Sequence, residues 1–430
     1  KNDMTFNQEV PAQLSMPGET PLLVAVRRKS GAAVGGEKVP LKIDVNEFTE
    51  QSWHGMKKLS LENGADTSTL LEGFAWYLHR LAWNAGIYPY MPGLASWVRL
   101  YVNGAYLGVY VSAEQVDKRF MENRGLWLSD DTWLYKQSDV GPPTIEFGPL
   151  THSPTYQALC YSPFPPNTCP IPAPNDVATQ LNALIDMPGM LTLGAVNSWA
   201  YSPDNLFSKG KNFYFSDSRY RKRLHYSWDM DANFGSLNTT RSIYELGNSP
   251  FEDVIIDNPT FRTNYNAIMR NLINGPLNTG SLTAEVNALE AALLPHLGTD
   301  PYNPVGSAGF TELRNYISAR NTNVMSQLPA TLSVEDTQAE PRILSAHPNP
   351  FMGSTSIQFQ LERSGPVRVA VYDARGALVR TLVEGPLEPG AHRASWAGTD
   401  QQGRQVGAGI YFVSCQANGR TWSERIALLR

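Results

Sequence analysis

The hydrophobic pattern of the chain changes near residue 340, and this change most constrains how the chain can fold. Up to that point helical and strand-like periodicities are mixed, whereas residues 342–430 show short alternating segments separated by turn residues, namely STSIQFQL, VRVAVYDARG, HRASWAG, GIYFVSC and ERIALLR. That spacing is typical of a β-sandwich. A chain of 430 residues is also too long for one ordinary core. We therefore predict an α+β domain over residues 1–328, a linker over 329–341 and an all-β domain over 342–430.

Composition excludes several classes of protein. Hydrophobic residues make up 42% of the chain and charged residues 17%, which favours a folded interior over disorder. The formal net charge of −5 argues against nucleic acid as the main partner, since that role needs a basic surface. No run of about 20 apolar residues is present, so we expect no transmembrane segment. The chain opens at KNDMTFNQEV, without a starting Met or an apolar signal region, and we expect its N-terminus to have been trimmed.

The three cysteines limit the metal chemistry. Cys160 and Cys169 lie in a Pro-, Ser- and Thr-rich stretch over 137–175 that we interpret as a surface insertion. They form either a loop disulfide, which would suit an oxidising compartment, or two unpaired thiols. Cys415 stands alone, and we expect it to be a small buried side chain. Three cysteines do not make a zinc site of the paired-CxxC kind, so any metal must be bound by oxygen.

Two strands are predicted over residues 20–46, around the glycine-containing turn SGAAVGGE. Alternation in KVPLKIDV places Leu41, Ile43 and Val45 on one face and both Lys38 and Lys42 on the other. A lysine on such a strand beside such a turn reaches nucleotide phosphates as a point charge. The alternative is two solvated lysines on a half-exposed strand.

Three further elements follow along the chain. Apolar residues at helical spacing predict a helix over about 69–84, and Asn103-Gly104 predicts a tight hairpin within WVRLYVNGAYLGVYVSAEQV. Residues 176–328 read as mostly helical, interrupted by the short strands KNFYF and RLHYSWD.

Four polar residues form the candidate centre for chemistry. Asp204 follows a predicted helix, Asn212 opens the strand KNFYF, and Asp229 and Asp231 follow the next strand. If those strands form a hairpin, Asn212 and the two aspartates leave it at the same end, close to Asp204. One carboxylate to orient a hydroxyl, plus an amide and a carboxylate on Mg²⁺, is the set that phosphoryl transfer requires. The alternative is that Asp204 turns a loop and the other two aspartates are exposed.

Two alternatives concern neighbouring patterns. Asp229, Asp231 and Asn233 match the start of a calcium loop, although position six is Phe234 and position twelve is Thr240, where such a loop has Gly and Glu. Glu72, within the helix over 69–84, is placed to orient a lysine. Its spacing from Thr69 also fits a capping box, in which case the pair simply starts the helix.

Several of these segments resemble the CotH family of kinase-like proteins. They are VRRKSGAAVGGEKVPLKIDVNEF (26–48), MKKLSLEN (56–63), LYVNGAYLGVYVSAEQVDKRF (100–120) and WDMDANFG (228–235). The four blocks occur in the family's order, and the resemblance covers roughly residues 5–330. It implies an atypical protein-kinase-like fold that transfers phosphate from ATP, with Mg²⁺ or Mn²⁺, to a Ser or Thr hydroxyl of a protein.

The resemblance also implies roles for individual residues. Asp204 would be the catalytic base, while Asn212 and Asp229 would hold the metal with support from Asp231. Lys38, or alternatively Lys42, would hold the phosphates, with Glu72 as a partner. Glu114 and Gln115 would lie near the nucleotide, as a hinge does. The sequence departs from the family at Ser227, where a Pro is usual, and around Asp204.

The last part of the chain resembles the FlgD-type immunoglobulin-like domain found at the end of many proteins exported by the type IX secretion route. HPNPF (347–351), VYDARG (371–376) and WAGTDQQGRQVGAGIYF (396–412) are the residues that carry this likeness. It implies a sorting module recognised by that secretion machinery. We therefore expect a bacterial kinase that is secreted or held at the cell surface, and whose acceptor is an envelope or extracellular protein. A non-catalytic pseudokinase or adhesion protein on the same scaffold is the alternative.

Overall fold

The structure is a computed structural model, and it describes residues 8–29, 38–64, 68–127, 129–138, 142–159, 174–219, 221–244, 249, 252–329, 342–347, 349–361, 364–373, 377–417 and 420–429. The chain divides into two compact units, Lys1–Pro329 and Ala330–Arg430. Within the described residues, no helix is both long enough and apolar enough to cross a membrane.

The first unit contains two antiparallel sheets and a group of helices. Its strands are β1 (Val10–Leu14), β2 (Leu22–Arg28), β3 (Leu41–Asp44), β4 (Lys58–Glu62), β5 (Ala95–Val102), β6 (Ala105–Glu114), β7 (Thr132–Gln137), β8 (Thr144–Phe147), β9 (Phe213–Ser218) and β10 (Arg221–Ser227). Its helices are α1 (Ser68–Asn84), α2 (Lys118–Asn123), α3 (Pro154–Leu159), α4 (Pro174–Leu184), α5 (Met187–Trp199), α6 (Pro259–Asn274), α7 (Thr279–Leu297) and α8 (Ser307–Gln327). Short 3₁₀ turns cover Met230–Ala232 and Gly235–Leu237, and Glu252–Ile256 forms a π-helical turn.

The first sheet has the strand order β1-β2-β3-β4-β6-β5. Its register places Arg27 opposite Lys42, Lys42 opposite Ser60, and Asp44 opposite Lys58, so these residues share one face. The other face is apolar and includes Leu41 and other buried side chains, namely Val24, Ile43, Val45, Leu59, Leu61 and Tyr110. The predicted apolar face of KVPLKIDV is therefore confirmed, and the polar face of β2, β3 and β4 is left for other contacts.

The predicted hairpin and helix are both present. Asn103 and Gly104 connect β5 to β6 with φ angles of 50° and 80°, the left-handed backbone that a two-residue hairpin turn needs. Helix α1 begins at Ser68 and packs its buried face against β5, β6 and α5. Thr69 is therefore the second residue of the helix and not its N-cap, and the capping-box alternative for Thr69 and Glu72 is wrong.

The second sheet has the order β10-β9-β7-β8 and joins the helices in the main core. Helix α5 is almost entirely buried, because it carries apolar or small residues on all sides. The segment predicted as an insertion, 137–175, contains β8 and α3. Cys160 and Cys169 lie outside the described residues.

The second unit is all β. Its strands are β11 (Arg342–His347), β12 (Thr355–Leu361), β13 (Gly365–Asp373), β14 (Leu378–Leu387), β15 (Gly390–Trp396), β16 (Gly409–Ala417) and β17 (Arg420–Leu428). They form the sheets β11-β12-β15 and β14-β13-β16-β17, whose inward residues enclose a separate core around Phe359 and Trp396. Cys415 is buried in this core, as expected. Helices and sheets in the first unit and a sandwich in the second confirm the predicted fold class.

Candidate active site

Asn212 and Asp229 meet at the open end of the β9–β10 hairpin. Phe213 pairs with Ser227, and the backbone N–H of Trp228 donates to the carbonyl of Asn212 at 3.3 Å. Asn212 therefore directly precedes β9, on the strand beside the one that leads to Asp229. The hairpin that the sequence predicted is present, and it brings these two residues together as expected.

Asp204 lies in the loop after α5, where two lysines hold it. Its carboxylate accepts from the ammonium groups of Lys209 at 2.5 Å and Lys211 at 2.9 Å. Partial burial alone would raise the pKa of Asp204, but the two lysines hold this pKa below its ordinary value. Asp204 is also close enough to contribute to raising the pKa of Asp231. The structure thus places Asp204, Asp229 and Asp231 in one electrostatically coupled group.

Two glutamates join the aspartates in what we call the carboxylate cluster: Glu62, Glu72, Asp229 and Asp231. Burial, followed by the charges of the other three, raises the pKa of Glu72 well above its ordinary value. Burial and Glu62 raise the pKa of Asp229, and desolvation together with Asp229 and Glu62 raises that of Asp231 to about 6. Repulsion within the cluster is relieved in part by Lys29, which donates to Glu62 and to Ser60.

The donors of this cluster fit a hard divalent cation in chemistry but are not assembled around one point. All of them are oxygens, which Mg²⁺ and Mn²⁺ prefer. The Oε2 atom of Glu72 is buried and has no hydrogen-bond partner, which is consistent with an oxygen that binds a cation. Among the described residues, however, no group of three or more His, Cys, Asp or Glu side chains is placed to hold a metal ion. Asn233, from the calcium-loop alternative, is itself buried.

A group of cations lies on the polar face of the first sheet, and we call it the cationic face: Arg27, Lys29, Lys42 and Lys58. Burial and the neighbouring charges of Arg27, Lys58 and Lys136 lower the pKa of Lys42 to about 8. Lys58 is paired with Asp44 at 3.0 Å, but no hydrogen bond or ion pair of the Lys42 ammonium occurs among the described residues. A cavity of about 80 Å³ beside Lys42 is lined by Arg27, Lys58 and Asp44, with Glu9 and Ala25.

Lys38 does not belong to this face. Its ammonium is fully buried, pairs with Asp300 at 2.8 Å and lies 5.2 Å from the ring centre of Tyr110, a residue of the apolar face. The prediction that Lys38 and Lys42 share one face is therefore wrong. Regular strand begins only at Leu41, after Val39 and Pro40, so the period of two does not extend back to Lys38.

Glu114, the last residue of β6, and Gln115, which follows it, make different contacts. Both carboxylate oxygens of Glu114 accept from Arg124, at 2.6 and 3.0 Å, and one of them also accepts from the backbone N–H of Leu94. Gln115 donates to the hydroxyl of Tyr214 on β9 at 2.9 Å and so connects the two sheets. The side chain of Glu114 is committed to this ion pair, whereas Gln115 lies at the junction between the sheets.

The backbone around the site is held in uncommon conformations. Five non-glycine residues between positions 201 and 237 have a left-handed φ: Tyr201, Asn212, Asp229, Phe234 and Leu237. Each such residue costs on the order of 1–3 kcal/mol and persists only where its surroundings impose it. Their concentration on both sides of Asp204, Asn212 and Asp229 is typical of a functional site.

A family model described as CotH kinase protein matches residues 33–155 and 167–324, which is more than half of the chain. The chain belongs to the CotH kinase protein family. A second family model, the FlgD Ig-like domain, matches residues 347–420, within the all-β unit. Both resemblances that the sequence motifs indicated are thereby confirmed.

Comparisons with individual proteins are less informative for this CotH protein. No curated protein matches it. Solved structures with similarity include latent dimeric PorU from Porphyromonas gingivalis, with 21% identity over 22% of this chain and 10% of that one, at a TM-score of 0.19. FlgD from P. aeruginosa shows 26% identity over 17% of this chain and 59% of that one, at a TM-score of 0.15. PorZ, a surface component of the type IX secretion system of P. gingivalis, shows 20% identity over 20% of this chain and 11% of that one, at a TM-score of 0.16.

Sequence reasoning missed several charged residues of this CotH site. Lys209 and Lys211 stand five and seven residues after Asp204, a spacing that has no diagnostic value without the loop's geometry. Lys29 and Glu62 could have been found, because antiparallel pairing of the predicted strands places them on the same face as Lys42. Lys136, on β7, carries no pattern that connects it to the site.

Proposed function

We propose that this chain is an ATP-dependent kinase that phosphorylates Ser or Thr hydroxyls of a protein outside the cell or on its surface. Membership of the CotH kinase protein family supports the general activity. The observation that carries the proposal is the grouping of Asp204, Asp229 and Asp231 beside Asn212, close to the cationic face, where Lys42 has no ion-pair partner among the described residues. Carboxylates for a metal and cations for phosphates, brought together in one place, are what phosphoryl transfer needs.

The reaction assigns one role to each group. The acceptor oxygen bonds to the γ-phosphorus as the bond from that phosphorus to the β–γ bridging oxygen breaks, and ADP leaves. Asp204, kept ionised by its two lysines, orients the acceptor hydroxyl and takes its proton. Asn212 and Asp229 would hold Mg²⁺ or Mn²⁺, with Asp231 in support. When bound, the cation would neutralise charge on the phosphate oxygens.

Within this proposal the nucleotide runs along the polar face of the first sheet. Lys42, which has room beside it and no ion-pair partner among the described residues, takes the phosphate-binding role in place of Lys38. Gln115 and the main chain at Glu114 flank the nucleotide at the junction of the sheets. Glu72 contributes to the metal end of the site and not to a lysine, because the carboxylates of the cluster surround it.

A second function is favoured by two observations at the candidate site. Both lysines near Asp204 bond to its carboxylate, and no metal-binding group is assembled among the described residues. A pseudokinase that binds a nucleotide or a protein partner without transferring phosphate would tolerate that arrangement.

The match of the all-β unit to the FlgD Ig-like domain supports a secreted or surface location, and we propose that this unit is recognised by type IX secretion machinery. Export of a fusion that ends in residues 330–430, by a bacterium that has this secretion system, tests that proposal. Retention of the fusion inside the cells would count against it.

Autophosphorylation with γ-labelled ATP tests the kinase proposal directly. Wild-type protein should incorporate label with Mg²⁺ or Mn²⁺, and the Asp229→Ala variant should lose at least about 99% of it, since one metal-binding carboxylate is removed. Asp257→Ala is the matched control, because this aspartate is exposed and pairs only loosely with Arg262 at 3.6 Å. Absence of label in the wild type with either metal, and with a panel of envelope proteins as acceptors, would reject the kinase and leave the pseudokinase.

A further inference from the structure

Lys136 is a cation of β7 at the end of the second sheet where Asn212 and Asp229 lie, since the next residue, Gln137, pairs with Phe213. It pairs with Tyr214 in the second sheet, and its ammonium is 5.7 Å from the centre of the Tyr214 ring. Its positive charge influences two groups: it lowers the pKa of Asp229, against the effect of burial, and it also lowers the pKa of Lys42. Among the described residues no carboxylate pairs with this ammonium.

Lys42, on the first sheet, is close enough to Lys136 for the two charges to interact, and it too has no carboxylate partner among the described residues. The nearest acids are already engaged: Asp44 with Lys58 at 3.0 Å, and Glu9 with Arg27 at 3.9 Å. The cavity of about 80 Å³ lies beside Lys42. Two unpaired cations held near each other repel, and a polyanion between them would turn that repulsion into attraction.

The register of the first sheet gives the direction in which such a polyanion would lie. Glu62, of the carboxylate cluster, and Ser60, opposite Lys42, are two residues apart on one face of β4. Residues two apart on a strand are separated by about 6.6 Å. A polyphosphate chain with its terminal phosphate at the carboxylate cluster would therefore reach Lys42 within one or two phosphate units. Lys136, whose charge acts on both Asp229 and Lys42, is close to both ends of that path.

We propose that Lys136 and Lys42 form a clamp that grips the α- and β-phosphates of the nucleotide, one lysine from each sheet. This inference rests on the proposed function only in that the nucleotide binds on the cationic face. The clamp recognises the phosphate chain and not the base. We therefore expect inorganic tripolyphosphate to bind as well, and we expect neither lysine to contribute to the affinity for adenosine.

Isothermal titration of the full chain with ATP, tripolyphosphate and adenosine, in the presence of Mg²⁺, tests the clamp. Lys136→Gln should weaken binding of ATP and tripolyphosphate about tenfold or more, because a charged hydrogen bond is lost, and leave adenosine unchanged. Lys136→Arg should restore most of the loss. Lys57→Gln is the control, since Lys57 precedes β4 and does not line the cavity beside Lys42, and this variant should bind all three ligands like the wild type.

The outcomes separate this clamp from the kinase proposal. Tripolyphosphate binding that is equal in wild type and Lys136→Gln overturns the clamp even if the protein transfers phosphate, and so does a wild type that binds no polyphosphate. If the wild type binds tripolyphosphate through Lys136 but never transfers phosphate, the kinase proposal fails and the clamp stands. Should Lys136→Gln not fold, as judged by circular dichroism, Lys42→Gln carries the same test.

Discussion

Lys38 and Lys42 stand four residues apart and have opposite surroundings. The ammonium of Lys38 is enclosed with Asp300, whose carboxylate also accepts from the backbone N–H groups of Val109, Tyr302 and Asn303. That of Lys42 lies among other cations beside a cavity. Removing one partner of such a buried pair destabilises the fold because the other charge is left buried and unpaired. Lys42, with no ion-pair partner among the described residues, remains available to bind an anion.

Replacing the two lysines separately should therefore give opposite results. Lys38→Met is expected to lower the free energy of unfolding by about 3 kcal/mol, because it leaves Asp300 charged and buried, while ATP affinity changes little. Lys42→Met should lower ATP affinity about tenfold and leave stability unchanged or slightly higher, since repulsion is removed. Urea unfolding and calorimetric titration measure the two quantities, and each variant serves as the control for the other. Loss of ATP affinity in a stable Lys38→Met protein would contradict this assignment.

His79 should make the protein sensitive to acid. It is buried, its Nε2 contacts Asn197 at 3.1 Å, and burial lowers its pKa to about 4. An unfolded histidine titrates near 6.5, so between these two pKa values the unfolded state binds a proton that the folded state does not, and stability falls as the pH falls.

The variant His79→Gln isolates this effect. In the wild type the change from pH 7 to pH 5 should cost about 2 kcal/mol through His79 alone, and the variant should be spared that part of the loss. Free energies of unfolding at the two pH values, from urea titrations, provide the comparison. Equal losses in the two proteins would show that His79 does not titrate as its burial implies.

At the scale of elements, Arg320 of α8 organises the segment that leads to Asp204. Its buried guanidinium donates to the carbonyls of Ser198 and Trp199 at the end of α5, and to those of Thr239 and Arg241 beyond Asp229. It thus satisfies carbonyls that the helix end leaves open and joins the two loops of the site.

Arg320→Leu should lower the free energy of unfolding by about 3 kcal/mol or more, because several buried carbonyls lose their donor. In protein that remains folded at low temperature, phosphate transfer should fall more than ATP affinity, since the two loops lose their relative position. Arg262→Leu on α6, where the arginine is only partly buried and contacts the ring of Tyr244, is the control for removing an arginine. Unchanged stability in Arg320→Leu would refute the role assigned to these hydrogen bonds.

The elements that the sequence predicted well are those with local causes. Asn103-Gly104 defines its own turn, α1 has a strong helical period, and β9 and β10 are close enough in sequence to pair. Strand β14 was missed because Gly385 and Pro386 interrupt its pattern and its pairing with β13 is irregular. The surroundings of Lys38 and Glu72 could not be predicted, for another reason. Their partners, Asp300 and the aspartates after β10, are distant in sequence, and only tertiary packing brings them close.

For the whole molecule, each of the two units has its own hydrophobic core. The core around Phe359 and Trp396 belongs to the second unit alone, and every residue of the candidate site belongs to the first. A unit with a closed core and short connections between its elements is expected to fold by itself.

Separate expression of residues 1–329 and 330–430 should therefore give two folded proteins. Differential scanning calorimetry should show one cooperative transition for each, and ATP with Mg²⁺ should raise the melting temperature of the first only, because a ligand stabilises only the unit that binds it. The same titration of the full chain is the reference. An ATP-dependent shift in residues 330–430 would contradict the placement of the site.

The division of β3 into an apolar and a cationic face has a consequence for how this protein can change in evolution. A slip of β3 by one residue against β2 and β4 would exchange the two faces, moving Lys42 into the apolar core and Ile43 onto the cationic face. Insertions in the connection before β3 leave that pairing intact, because connecting segments absorb changes in length, whereas an insertion or deletion within β3 does not. Related chains should accordingly differ in the length of the connection before β3 far more freely than in the length of β3 itself.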